Sequence, residues 1–191
     1  KAEKFCRKAL QLDPKFADAY NNLGAILQFL GKPQEAIKNY QCAIKLAPTF
    51  DDAYINLAGV LNSLGRYDEA IVLCKKAIEL DFKNPDPYYN LGNILKNKGQ
   101  LAKAVIAYEK VIELNPDFSD AYDQLVEVLK QLCEWKKLKK YTAKLYEMTE
   151  GSLSKNKING ETPFNAIIGH DDPERNLKIA KSWATNIEHS V

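Results

Sequence analysis

The stretch ADAYNNLGAILQFLG at residues 17–31 decides the fold, because it returns as DDAYINLAGVLNSLG at 51–65, PDPYYNLGNILKNKG at 85–99 and SDAYDQLVEVLKQLC at 119–133. The offset is 34 residues each time, and self-similarity at a fixed period of that size marks a stack of repeated units rather than a single core. A second stretch trails each of the first three: QEAIKNYQCAIKLAP at 34–48, DEAIVLCKKAIELDF at 68–82 and AKAVIAYEKVIELNP at 102–116. Apolar residues recur three and four apart in both stretches, as in amphipathic helices, so each period predicts a helix pair. Gly31, Gly65 and Gly99 stand at the turn inside the pair, where a left-handed C-cap favours glycine, and Pro48 and Pro116 close the second helix.

Working outward, residues 1–16 read as the last helix of a preceding, truncated unit, with Ala2, Ala9 and Pro14 in register. Regular units follow at 17–50, 51–84 and 85–118, then a degenerate final one at 119–150. Within it, 135–149 is expected to be a helix with Trp135, Leu138, Tyr141, Leu145 and Met148 on one face and lysines on the other. The remainder, 151–191, reads as a linker over 151–162, a short apolar segment over Pro163 to Ile168, and a C-terminal helix bearing Leu177, Ala180, Trp183, Ala184 and Ile187. The chain starts in helix-like sequence without Met and is read as a piece of a longer protein.

Composition narrows the function. With 46% hydrophobic and 27% charged residues the chain can bury a core and is not disordered. A net charge of +2, from 27 basic and 25 acidic residues, gives no pull toward nucleic acid, and no run approaches the roughly 20 apolar residues of a membrane span. Neither is expected as a partner. Cys6, Cys42, Cys74 and Cys133 lack paired spacing and suit a reducing, cytoplasmic setting; His170 and His189 stand apart from any ligand-like cluster, so no metal or cofactor is expected.

The residues resemble the tetratricopeptide repeat, whose 34-residue unit carries an aromatic, Leu-Gly, aromatic, Ala, aromatic, Ala and Pro in fixed order. The corresponding residues in the unit from Ala17 are Tyr20, Leu23, Gly24, Leu27, Ala36, Tyr40, Ala43 and Pro48; in the next they are Tyr54, Leu57, Ala58, Leu61, Ala70, Cys74 and Ala77, with Phe82 replacing the proline. The resemblance implies an all-α, right-handed superhelix with a concave inner wall. Positions 2, 6, 9 and 13 of each first helix form the stripe that does not pack, which places Asp18, Asp52, Asp86 and Asp120 in one row and Asn22, Asn56, Asn90 and Gln124 in another.

A row of primary amides suits an extended peptide, since each can donate to one backbone carbonyl and accept from an N–H. Helix layers about 8–10 Å apart would meet an extended chain roughly every three residues. The Asp row would favour Lys, Arg, Ser or Thr in the ligand. The same Asp residues also suit the positive end of the helix dipole, so the pattern serves folding as well as binding. A clamp for acidic tails, the other familiar use of this fold, needs Lys at the second position and meets four aspartates here.

Cys133-Glu134-Trp135, the Pro163-Phe164 segment and the Asp171-Asp172-Pro173 helix start resemble the join between repeats and catalytic region in O-linked N-acetylglucosamine transferases and their SPINDLY-like relatives. That resemblance implies a non-catalytic, substrate-recruiting part of a sugar-nucleotide-dependent enzyme. No nucleotide-binding pattern or catalytic constellation appears in these residues. The other reading is a free-standing scaffold, or self-association through the end of the array, with Phe5, Leu10 and Leu12 pairing between chains.

Overall fold

In a computed structural model the structure describes residues 1–153 and residue 174. Of the linker read from sequence over 151–162 the part from 154 onward, and with it the apolar segment and the C-terminal helix with His170 and His189, lies outside the described residues except for Glu174, which is helical and exposed. Among the described residues all regular structure is helical. The chain divides into two compact units, Lys1–Gln100 and the residues from Leu101 onward.

The first unit holds α1 (Ala2–Leu12), α2 (Ala17–Phe29), α3 (Pro33–Leu46), α4 (Asp51–Ser63), α5 (Tyr67–Leu80) and α6 (Asp86–Asn97). Each helix packs on its sequence neighbour, and α4 also touches both α2 and α6. The main core runs through Leu23, Leu27, Tyr40, Leu57, Leu61 and Ile94. Size is matched across each pair. A Cβ added to Gly24 would sit 2.7 Å from Cε1 and 2.8 Å from Cδ1 of the buried Tyr40 ring, so glycine here makes room for the aromatic. In the next pair Ala58 occupies glycine's register and Cys74 occupies the tyrosine's, both fully buried. A larger residue on one helix meets a smaller one on the other, as dense packing requires. Burial pushes the Cys74 thiol up to about 12, which makes it an inert core atom.

The fourth position does a different task. The Tyr54 hydroxyl donates to the Pro48 carbonyl at 3.1 Å and the Tyr88 hydroxyl to the Phe82 carbonyl at 3.3 Å. The accepting group is a backbone oxygen, so Phe82 replaces proline without loss of this tie, and its ring is left largely exposed.

The turns inside the pairs share one geometry. Gly31, Gly65 and Gly99 have φ of 70°, 73° and 79°, and the following N–H reaches back five residues: Lys32 to Leu27, Arg66 to Leu61 and Gln100 to Leu95. In the second unit, made of α7 (Leu101–Leu114), α8 (Ser119–Gln131) and α9 (Trp135–Leu153), Glu134 makes the same bond to Leu129 while Cys133 takes φ 56°. A side chain in the left-handed region costs about 1 kcal/mol relative to glycine. Replacing Cys133→Gly is therefore expected to raise unfolding free energy by about 1 kcal/mol in chemical denaturation; a fall would contradict this reading of the turn.

Three sequence expectations are corrected. Leu138, Tyr141, Leu145 and Met148 pack against Tyr122 and Val126, but Trp135 is 65% exposed. It is the first residue of α9, and helical side chains lean toward the N-terminus, so it projects off the end of the packed face. Second, α9 runs to Leu153, three residues into the expected linker, since an isolated glycine such as Gly151 weakens a helix by about 1 kcal/mol without ending it. Third, of the three apolar residues named for pairing between chains, Leu10 is half-buried and packs with Cys6 against the first unit's core, while Phe5 and Leu12 are exposed.

Candidate polypeptide-binding face

The first helices of the regular pairs, α2, α4 and α6, each begin with an acidic first turn. Asp18, Asp52 and Asp86 are exposed and no cation pairs with them among the described residues. Asp51 is spoken for differently, accepting from Asn84 Nδ2 at 3.2 Å. The free row is close enough to interact: partial burial, then Asp51, Asp86 and Asp18 in that order, raise the Asp52 carboxyl above its ordinary value of 3.8. Repulsion among like carboxylates is the sign of a surface that a cationic group would stabilise.

The asparagine row proves to be uneven. Asn22 is exposed and makes no side-chain hydrogen bond among the described residues. Asn56 donates through Nδ2 to Oδ1 of Asn21 at 3.0 Å, and Asn21 is only 8% exposed. Asn90 donates through Nδ2 to the Ile55 carbonyl at 3.4 Å, and Asn97 to Oδ1 of Asn62 at 3.0 Å. Each of these bonds links residues 35 apart, one more than the repeat, because positions 6 and 13 of one layer lie beside positions 5 and 12 of the layer before. Sequence reasoning placed the row but missed this bonding, since positions 5 (Asn21, Ile55, Tyr89) share no residue type.

An amide carries two donors and a carbonyl oxygen. Asn56 and Asn90 therefore spend one N–H on stacking the layers and keep one N–H and Oδ1, in an orientation fixed by the bond already made. The two kinds of site separate by experiment. Asn56→Ala strands the carbonyl of a buried Asn21 and should cost about 1–2 kcal/mol in denaturant unfolding, whereas exposed Asn22→Ala should leave stability within about 0.5 kcal/mol. Equal effects would contradict the assignment of Asn56 to the layer contact.

In the second unit Asp120 is exposed at the start of α8 and Gln124 is half-buried. A cleft of about 420 Å³ lies among α7, α8 and α9. Across it Glu109 accepts from the Tyr141 hydroxyl at 3.1 Å, and Glu109 also accepts from Lys137 at 2.9 Å. Burial, then the Glu109 charge and its hydrogen bond, pushes Tyr141 up to about 12. These bonds fasten α9 to α7. Lys136, Lys139 and Lys140 on α9 are exposed. Among the described residues no cluster of His, Cys, Asp and Glu is placed to hold a metal ion, and no helix is long and apolar enough to cross a membrane.

Residues 17–50 and 85–118 match the family model described as tetratricopeptide repeat, and 59–99 match one described as TPR repeat. No curated protein matches the sequence. Among solved structures, MamA is similar at 28% identity with TM-score 0.67, over 74% of this chain and 83% of that one. A mutant O-GlcNAc transferase of Thermobaculum terrenum is similar at 26% identity with TM-score 0.56, over 59% of this chain but 22% of the transferase. The first TPR of Spaghetti (RPAP3), bound to the HSP90 peptide SRMEEVD, is similar at 25% identity with TM-score 0.59, over 61% of this chain and 95% of that one. The chain thus carries tetratricopeptide repeats, and its fold is an all-α tetratricopeptide-repeat solenoid. It is a protein-interaction module.

Proposed function

We propose that the face formed by α2, α4 and α6 holds an extended polypeptide, with Asn22, Asn56 and Asn90 meeting its backbone and Asp18, Asp52 and Asp86 selecting basic or hydroxyl-bearing side chains. In the second unit Asp120 and Gln124 hold the same register positions of α8, and the same roles are proposed for them there. The observation that carries this reading is the unpaired carboxylate row, in which Asp52 feels both Asp18 and Asp86. A peptide running along it would exchange like-charge repulsion for charge-assisted hydrogen bonds. The acidic Glu-Glu-Val-Asp end of the peptide on the Spaghetti domain would be repelled by the same row, so a different ligand is expected here.

We further propose that this module recruits protein substrates for a protein O-N-acetylglucosamine transferase-like enzyme in the cytoplasm. Supporting it are the similarity to the Thermobaculum transferase and the join-like residues from Cys133 onward. A coding sequence for a nucleotide-sugar domain beyond Val191 would bear this out, and a stop codon there would overturn it. In that event the free-standing scaffold is the reading that stands, and the similarity to MamA across most of both chains favours it.

A further inference from the structure

The tyrosine at the fourth position of the first helix has a backbone partner in two layers, Tyr54 donating to Pro48 and Tyr88 to Phe82. Tyr20 makes no such bond among the described residues, but it is half-buried and solvent can serve it. Tyr122 makes none either, and it is only 4% exposed. Its ring lies against Tyr141, with centroids 6.2 Å apart and planes inclined by 59°; one period earlier the place of Tyr141 is held by Ala107. An enclosed hydroxyl without a partner is rare in a folded chain and calls for an explanation. Burial, against the opposing pull of Lys144, raises this hydroxyl above its ordinary 10.0, so it keeps its proton at neutral pH and remains a donor.

Tyr122 lines the cleft of about 420 Å³ among α7, α8 and α9, together with Glu109, Ile112, Lys140 and Lys144. The acids of this cleft are already engaged: Glu109 by Tyr141 and Lys137, and Glu113 by Lys110 at 2.7 Å. Its bases are not. Lys140 has no carboxylate partner among the described residues and stands 5.0 Å from the centroid of the Tyr141 ring. Lys144 gives one bond to Glu147 at 3.1 Å, and an ammonium carries three donors. What the cleft has left to offer is therefore donors, a hydroxyl and two ammonium groups, beside the apolar surface of Ile112 and the Tyr141 ring.

From these unmatched donors we infer that the cleft binds a carboxylate carried on an apolar stem, from a peptide's chain end or an acidic side chain, with the Tyr122 hydroxyl donating to it and Lys140 and Lys144 supplying the opposite charge. Charge-assisted bonds of this kind are short and strong, and they satisfy the hydroxyl that the fold leaves unpaired. Phosphate fits less well, because its second charge would meet Glu109 and Glu113 on the facing wall. The site uses no residue of the Asp and Asn rows, and its ligand carries the charge opposite to the one those rows would select.

Nitrogen-15 NMR titration of the 191-residue chain tests the proposal with four probes. N-acetyl-leucine carries its charge at a chain end, N-acetyl-glutamate α-amide carries it on a side chain, N-acetyl-leucine amide has none, and inorganic phosphate is the other anion. At least one carboxylate is expected to shift the amides of Ile112, Tyr122 and Tyr141 saturably, with a Kd on the order of 1 mM, and the tighter of the two identifies the source. Tyr122→Phe should weaken that binding at least about tenfold, and Lys140→Gln about threefold. Circular dichroism melting keeps loss of the hydroxyl apart from damage to the fold. Tyr122→Phe removes an unpaired group and should leave the melting temperature unchanged or raised, whereas Tyr54→Phe loses a bond that is made and should lower it. No saturable shift with either carboxylate, equal binding of the amide, tighter binding of phosphate, or carboxylate binding indifferent to Tyr122→Phe would overturn the proposal, as would a lower melting temperature for that variant.

Discussion

Gly24→Ala is expected to destabilise the first unit by about 2 kcal/mol, although alanine is the better helix former by about 1 kcal/mol. The new methyl would lie 2.7 Å from Cε1 of Tyr40. That ring is 1% exposed, and its hydroxyl donates to Gln28 Oε1 at 3.2 Å, so it has nowhere to move. Tyr40→Cys alone leaves a cavity and should cost about 3 kcal/mol. Together the two changes install the combination that Ala58 and Cys74 already show one repeat later, where both are fully buried. The double variant should therefore cost at least 1 kcal/mol less than the sum of the single changes in denaturant unfolding. Strict additivity would mean that glycine and tyrosine are not matched to each other.

Replacing Asp18, Asp52 and Asp86 together with Asn is expected to weaken binding of an extended Lys-containing peptide by roughly 30-fold, from three exposed charge-assisted contacts of about 0.5–1 kcal/mol each. Folding stability should move the other way. The Asp52 carboxyl is raised above its ordinary 3.8 in the folded chain, so the folded state holds this proton more tightly than the unfolded one. Its ionisation therefore costs stability, fully above the folded pKa, and the cost is relieved as pH falls through that value toward 3.8. Asp52→Asn should raise the melting temperature at neutral pH and flatten its acid-side dependence. A variant that binds less and melts higher identifies a row kept for binding; one that melts lower shows that these carboxylates serve the helix starts instead.

What the sequence reveals here is whatever repeats at a fixed offset. The helix pairs, Gly31, Gly65 and Gly99 at left-handed turns, and the small positions at Gly24 and Ala58 all follow from the 34-residue period. Contacts between layers are offset by one further residue, so the bond from Asn56 to Asn21 links positions that look unrelated when the units are aligned. Ends are the other blind spot. Leu10 reads as exposed if α1 is taken as a bare terminus, yet it packs inward. Trp135 matches the apolar face by spacing but stands at the first residue of α9, where the lean of the side chain carries it away from the core. Cys133 adopts the glycine geometry because the backbone bond from Glu134 to Leu129 holds the turn, a constraint that residue type alone hides.

The role proposed for the α2, α4 and α6 face is to take an extended polypeptide through a backbone-reading amide row and a cation-selecting acid row. Isothermal titration of the chain with two unstructured peptides of equal length, alternating Ser with Lys in one and Ser with Glu in the other, tests it most directly. The Lys peptide is expected to bind at least about tenfold tighter, added salt to erode the difference, and Asn22→Ala to weaken binding without changing stability. Equal affinity for the two peptides, or preference for the Glu peptide, would contradict it.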